Sequence, residues 1–350
     1  MAFVMPGQSN LYVPSHEATG KMVVDYARNE KKYTVAKWAK TVKVDKDHGL
    51  YFTMDFARRA YVADVNGKDL MWRDGAMAPL GRDNTMGGEY LSYRTDRYAK
   101  TFTLGDKTVD QASFDLIASH SGMLAQQMMT WRTLQAATIC QTSGNYIAAN
   151  VFDIGAGGAG NTGRWDVSTT ARQDIKRSID KAKQAILDAT YGGVDVDDLY
   201  LVMNDATAAA LSITQEIVDM IKQSPDAYAY VKGEMSNKNP NKQWNLPPTL
   251  YGVNLVIDDT RYHSTARRGT PSATRCLDSD KPFMICSPMG AASSAQSPNP
   301  AFLTNFVYED FTVETMKDKN NRLTSGRITD DRVFEITAPQ TGVLFTDVLT

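Results

Sequence analysis

The sequence predicts an α+β protein. Three observations point there. Two stretches carry apolar residues at helical spacing, strand-like alternation dominates the C-terminal part, and helices and strands do not follow each other in regular βαβ order. No internal repeat is present. Hydrophobic residues make up 42% and charged residues 22% of the 350, which is ordinary globular composition with enough apolar side chains for a sizeable core. The formal net charge of −2 argues against a dedicated nucleic-acid binder. Cys140, Cys276 and Cys286 are too few and too scattered for a disulfide framework or a zinc site, and they fit a reducing cytoplasm. Met1 to Pro6 lacks the basic-then-apolar order of a signal peptide. No stretch approaches the roughly 20 apolar residues of a membrane span.

Residues 1–50 are polar and basic, and predict an extended arm with little core of its own. Between Lys21 and Asp47 eight basic residues, Lys31, Lys32, Lys37 and Lys40 among them, stand against four acids, a net +4. A solvated face accounts for such a run; an arm laid on an acidic partner surface or near nucleic acid is the alternative. A strand begins at Leu50–Phe56. Asn66 and Gly67 form a turn signal, a Gly-, Asp- and Arg-rich tip runs from Arg73 to Gly88, and a second strand-like run covers Tyr90–Leu104. Residues 50–104 therefore predict a long two-stranded excursion. Such a hairpin is marginal alone and needs a surface to lie on, its own domain's or a neighbour's.

Phe114, Ile117, Ser121, Leu124, Met128, Trp131, Gln135 and Thr138 follow at helical spacing. They predict one long helix over 110–141, capped by Thr108 or Asp110, ended by Gly144, and about 45 Å long. Cys140 at its end is expected to be a small buried residue. A loop-rich link with Gly155 to Gly160 leads to a second helix from about Thr170 to Thr190, with Ala171, Ile175, Ile179, Ala182, Ile186 and Ala189 on one face and Gly192-Gly193 as its stop. Leu199–Met203 is a short buried strand. Asn204 or Asp205 caps a third helix carrying Leu211, Ile217 and Ile221. A polar loop covers 224–248, Leu250–Ile257 is one strand, and a polar loop from Thr260 to Asp280 precedes the strand Lys281–Cys286. After a small-residue link (Ser287–Pro300), strands follow at about Asn305–Met316, Gly326–Thr337 and Val343–Val348.

No constellation supports catalysis, a cofactor or a metal. Gly155, Gly157 and Gly160 match the G-x-G-x-x-G pattern, but the loop does not open directly into a helix, as a pyrophosphate site requires. His16, His48, His120 and His263 are far apart, and His120 on the long helix suits packing or surface. No G-x-S-x-G elbow appears. Asp195, Asp197 and Asp198 lack the rest of a calcium loop and suit a solvated turn.

In order and character, these elements resemble the major capsid proteins of tailed bacteriophages with the Hong Kong 97-like fold. The resemblance rests on Tyr98-Ala-Lys-Thr-Phe-Thr-Leu-Gly-Asp-Lys107 as the strand leading to the long helix, and on Trp131-Arg-Thr-Leu-Gln135 within that helix. It rests also on the Ile175/Ile179/Ala182/Ile186 helix followed by Leu199–Asn204, and on Leu250–Ile257. The resemblance implies an N-terminal arm (1–49), an extended loop (50–104), a peripheral domain (105–168) with spine helix 110–141, an axial domain (169–287), and C-terminal strands (288–350) returning to the peripheral domain. It implies a structural protein that assembles as hexamers and pentamers into an icosahedral or prolate head around double-stranded DNA. Assembly would take place in the host bacterial cytoplasm, and the protein would end in the virion. A separate scaffolding protein, a portal protein and a cement protein are the further partners implied. Subunit contacts are expected at Lys31, Lys32, Lys37 and Lys40 of the arm, at Asn66, Lys68, Trp72, Arg73 and Arg82 of the loop, and at Trp244, Arg267 and Arg268 of the axial loops. Lys68 can be placed by eye near the lysine of self-crosslinking members, but no catalytic Glu matches, so no crosslink is carried over. An encapsulin-like nanocompartment shell and a soluble nucleotide-using α/β enzyme are the alternatives.

Overall fold

The computed structural model describes residues 33–54, 56–60, 88–112, 115–156, 163–166, 174–222, 241–265, 269–270, 272–288 and 300–349. In chain order its main elements begin with α1 (Val35–Trp38), β1 (Lys40–Lys43), β2 (His48–Met54), α2 (Phe56–Arg59), β3 (Gly88–Arg94), β4 (Asp96–Gly105), α3 (Asp106–Asp110), α4 (Leu116–Cys140) and β5 (Val151–Asp153). They continue with α5 (Asp174–Ala189), β6 (Leu199–Asn204), α6 (Asp205–Ile213), α7 (Gln215–Lys222), β7 (Thr249–Leu250), β8 (Val253–Asp258), β9 (Arg261–Tyr262), β10 (Thr274–Arg275), β11 (Phe283–Cys286), β12 (Leu303–Asp318), β13 (Leu323–Ile336) and β14 (Gly342–Thr346). A six-stranded mixed sheet has the order β5-β14-β11-β6-β8-β7, and a four-stranded mixed sheet the order β1-β12-β13-β4. β2 with β3, and β9 with β10, form two-stranded ribbons.

β6 shows why its sequence is apolar without alternation. Leu201 and Met203 enter one core with α5, α6 and α7, whereas Val202, with Tyr200 beside it, enters a second core under α1 and the C-terminal half of α4. A third core joins the N-terminal half of α4 to β4 and β13 through Leu116, Leu124, Met128, Phe102, Leu104 and Ile328. α5 buries Ile175, Ile179, Ala182 and Ile186 as its spacing predicts. It stops where Tyr191 (φ 52°) and Gly192 (φ 72°) turn left-handed and the Gly192 N–H donates to the Leu187 carbonyl at 2.9 Å. At its other end the Glu216 carboxylate of α7 accepts from the N–H groups of Ile175 (3.1 Å) and Lys176 (3.0 Å) and from the Tyr251 hydroxyl (2.5 Å).

Several expectations change. Residues 34–43, expected in the arm, pack into the core through Val35, Trp38, Ala39 and Val42: Trp38 is fully buried, meets Phe283 edge-to-face at 5.5 Å and donates to Thr34 Oγ1 at 3.3 Å. Thr34 in turn bonds Asp258, and β1 pairs in parallel with β12. Apolar residues set singly among lysines hid this. The long helix, expected over 110–141, starts later: Asp115, accepting from the Ala118 N–H at 2.9 Å, caps α4, which runs from Leu116 to Cys140, and the short α3 ends at Asp110 before it. α4 also buries a different face at each end, because each end meets a different sheet. Leu124 and Met128 are buried as expected, but beyond them Thr133, Ala136, Ala137 and Cys140 are buried while Thr138 is exposed.

The third helix divides into α6 and α7 at extended Thr214, whose carbonyl accepts from the Val218 N–H at 3.0 Å. The strand expected at Leu250–Ile257 folds back on itself. Tyr251 (φ 50°) and Gly252 (φ 80°) make a two-residue turn between β7 and β8, a conformation that the glycine permits. The run Tyr90–Leu104 divides at Thr95, so that β3 belongs to the ribbon and β4 to the four-stranded sheet. Of the C-terminal strands, β12 and β13 lie beside β4, whereas β14 lies between β5 and β11. Among the described residues no helix is long and apolar enough to cross a membrane.

Candidate assembly surfaces

The β2–β3 ribbon exposes apolar side chains. Among the described residues its strands pair only with each other, in the register His48↔Arg94 to Met54↔Gly88, so opposite residues share a face. One face is anchored: Tyr51 and Tyr93 lie on the Phe306 ring at 5.4 and 4.5 Å. The Tyr93 ring lies close over Gly49, where a Cβ would be 2.6–2.8 Å from the ring and hydroxyl and would force that side chain to shift. The other face carries Leu50, Phe52 and Tyr90, all exposed, with Phe52 and Tyr90 in ring contact at 5.1 Å. These three side chains thus form an exposed apolar cluster on a ribbon that would be marginal by itself.

The four-stranded sheet has one covered and one open face. On the covered face, Arg132 of α4 donates to Asp310 (3.0 Å) and to fully buried Asp330 (3.3 Å), and stacks over Phe311 at 4.3 Å. Burial lowers the Arg132 guanidinium from its usual range and Asp310 opposes that shift. Fully buried Arg332 pairs with the same Asp330. Two register shifts in β12, between Val307 and Glu309 and between Glu309 and Thr312, bring Asp310 and Phe311 to this seam. On the open face Ala99, Thr101, Thr103, Arg327 and Glu314 are exposed, with Arg327 bonded to Glu314 at 2.6 Å. Beyond Val307 the outer edge of β12 has no strand partner among the described residues.

Asp205, the first residue of α6, ties down the β9–β10 ribbon by bonding both Arg261 and Arg275. Burial, the largest single influence, raises its carboxyl. The hydrogen bonds and charges of Arg275 and Arg261 together outweigh burial and hold it below the usual carboxylate range.

Of the residues expected at contacts, Lys37 is exposed beside an open cleft of about 360 Å³ lined also by Tyr200, Pro248 and Asn254. Lys40 is buried in β1, where burial lowers its pKa against a smaller opposing influence of Cys286. Trp244 is half-buried against the α5–α7 core. Lys31, Lys32, Asn66, Lys68, Trp72, Arg73, Arg82, Arg267 and Arg268 lie outside the described residues, as do Gly157 and Gly160 and most of the 224–248 loop. The apolar ribbon face was not legible in the sequence, although Leu50 and Phe52 alternate, because Tyr90 joins them only through strand register.

The other candidate residues of the sequence occupy turn and packing positions. After β5 the chain makes a turn in which the Ala156 N–H bonds Asp153 at 3.0 Å, and the next described helix begins at Asp174. His120 packs near Phe102 with Nδ1 3.0 Å from the Leu116 carbonyl. All three cysteines are buried, and burial pushes the Cys286 thiol up to about 12. Burial, with Asp195 and Asp197 nearby, raises Asp198. Among the described residues no group of three His, Cys, Asp or Glu side chains is placed to hold a metal ion.

No family model and no curated protein sequence matches the chain. Solved structures do. A phage-related protein from Bordetella bronchiseptica superposes with a TM-score of 0.63 at 16% identity, covering 92% of this chain and 94% of its own. A chain from the mature capsid of bacteriophage PhiM1 gives 0.54 at 10% identity, with 98% of both chains covered. A chain from the capsid of cyanophage P-SCSP1u gives 0.54 at 9% identity, covering 94% and 91%. The chain has the Hong Kong 97-like capsid fold, of the α+β class.

Proposed function

We propose that the chain is the major capsid protein of a tailed bacteriophage, structural rather than catalytic, which assembles with copies of itself into the head shell around double-stranded DNA. The observation that carries this reading is the superposition of nearly the whole chain on nearly the whole length of capsid chains of two phages. The exposed Leu50–Phe52–Tyr90 face supports it, because a neighbouring subunit would cover that apolar surface in a closed lattice. Many modest contacts then add, since each subunit is held by several neighbours at once. Six- and five-fold rings, a separate scaffolding protein, a portal and a cement protein belong to the same proposal. So does the placement of Lys37, Trp244 and the undescribed loop residues at subunit contacts.

The test is expression of the chain alone and with its neighbouring genes, followed by size-exclusion chromatography and negative-stain electron microscopy. Closed shells, or rings of five and six, are the expected result. A monomer under both conditions would refute the proposal. Particles that enclose an enzyme instead of DNA when purified from the native source would reassign the shell to a nanocompartment.

A further inference from the structure

The solvent side of α5 has a basic end and an acidic end. Arg177, Lys181, Gln184 and Asp188 recur at helical spacing and are all exposed, so they form one outward stripe away from buried Ile175, Ile179, Ala182 and Ile186. Its bases come first and its acid last. That order opposes the helix dipole, which favours acids in the first turn and bases in the last. Arg177 and Lys181 also repel each other, as like charges four residues apart do. Nearby acids do not account for them. Asp180 pairs with Lys183 at 2.8 Å, and Asp174 is buried. The Glu216 carboxylate is engaged by the N–H groups of Ile175 and Lys176 and by the Tyr251 hydroxyl, and exposed Lys176 beside it balances its charge. Among the described residues neither Arg177 nor Lys181 has an ion-pair partner.

The acidic end continues past the helix. The chain turns at Tyr191 and Gly192, and Asp195 and Asp197 follow. Both are exposed and, among the described residues, no base pairs with either. Tyr191, 60% exposed, lies in the chain between these acids and Asp188. The 16 residues of α5 span about 24 Å, so the two ends do not neutralise each other within one subunit. Each end is complementary to the opposite end of another copy.

We propose that Arg177 and Lys181 of one copy dock on Asp188, Asp195 and Asp197 of a second copy, in a head-to-tail contact. Every copy then offers a basic end to one neighbour and an acidic end to the next, the heterologous arrangement that can close into rings. Tyr191 at the acidic end gives an incoming arginine a ring to stack on. Complementary charge of this kind orients subunits more than it holds them. The inference rests on the self-assembly proposed above and names one surface of it.

Two charge reversals test it in the full-length chain: Arg177→Glu with Lys181→Glu, and Asp195→Lys with Asp197→Lys. All four side chains are exposed, so thermal unfolding of the unassembled chain should barely change. Light scattering across a dilution series reads the assembly threshold. Either reversal alone sets like charges against each other and should raise the threshold about tenfold or more. Both reversals in one chain restore opposite charges at each contact and should return the threshold to within about threefold of the unaltered chain. Added salt should raise the threshold of the unaltered chain and lower that of either single reversal. If neither reversal alone moves the threshold, or if the combined chain assembles no better than the single reversals, this inference is overturned and the capsid reading stands. If the unaltered chain never associates, with or without its neighbouring genes, both are overturned.

Discussion

Replacing Leu50 and Tyr90 together by threonine should impair assembly and leave the subunit folded. Leu50 is 68% and Tyr90 72% exposed, so most of each side chain is available to a neighbour. Fully burying a side chain of this size is worth about 1.5–3 kcal/mol. The pair therefore withholds roughly 2–4 kcal/mol per ribbon contact, taking about seven-tenths of that range for each. In a closed lattice each subunit lends one ribbon, so the concentration at which shells form should rise roughly 30-fold to several-hundred-fold. Threonine keeps strand propensity. The internal loss is confined to the Phe52–Tyr90 ring contact, roughly 0.5 kcal/mol. Light scattering across a dilution series reads the threshold, and thermal unfolding of the unassembled chain reads the fold. An unchanged threshold would refute the role of the ribbon. A melting temperature lowered by many degrees would refute the reasoning differently, by showing that these side chains are buried within the subunit.

Three further outcomes are expected. Trp38→Ala should cost about 3–5 kcal/mol, measured by denaturant unfolding, because it empties a fully enclosed site; a loss near zero would return residues 34–43 to an arm. Asp205 is held below the usual carboxylate range in the fold, so its contribution is present above about pH 4 and is lost as the pH falls through its lower folded value. In Asp205→Asn, that part of the acid dependence of stability should be absent from pH-resolved melts. At Gly326 a Cβ would overlap the Phe102 ring, so Gly326→Ala should destabilise by about 1–3 kcal/mol, and adding Phe102→Leu should recover part of it in a double-mutant cycle.

Local pattern was legible wherever one face of an element does all the burying. The spacing of Ile175, Ile179, Ala182 and Ile186 identifies α5, and the apolar run Leu199–Met203 identifies a strand covered on both sides. Pattern misled where burial changes sides. Along α4 the large residues Trp131 and Leu134 suggest a stripe that continues to Thr138, yet small Ala136 and Ala137 sit at the contact because Trp38 must approach the helix closely. Strand limits were hidden at single residues: Thr95, Thr214 and the Tyr251–Gly252 turn interrupt runs that hydropathy alone leaves continuous. The polar anchors were less visible still. Arg132 meets Asp310 and Asp330 across more than half of the chain, and neither partner carries a local sign of the other. What the sequence did convey was the order of elements, and that order carried the fold.

The strand order has a consequence for how the protein is made. β1 lies beside β12, β4 beside β13, and β14 between β5 and β11. Neither large sheet can close until residues 303–346 have left the ribosome, and pairings of such long sequence separation are slow to form. A nascent or prematurely terminated chain therefore lacks the platform on which Tyr51 and Tyr93 rest, since Phe306 is in β12. Such fragments cannot present the ribbon in its docked geometry. Under the proposed shell function, a growing polymer would therefore admit only those copies whose last strands are in place.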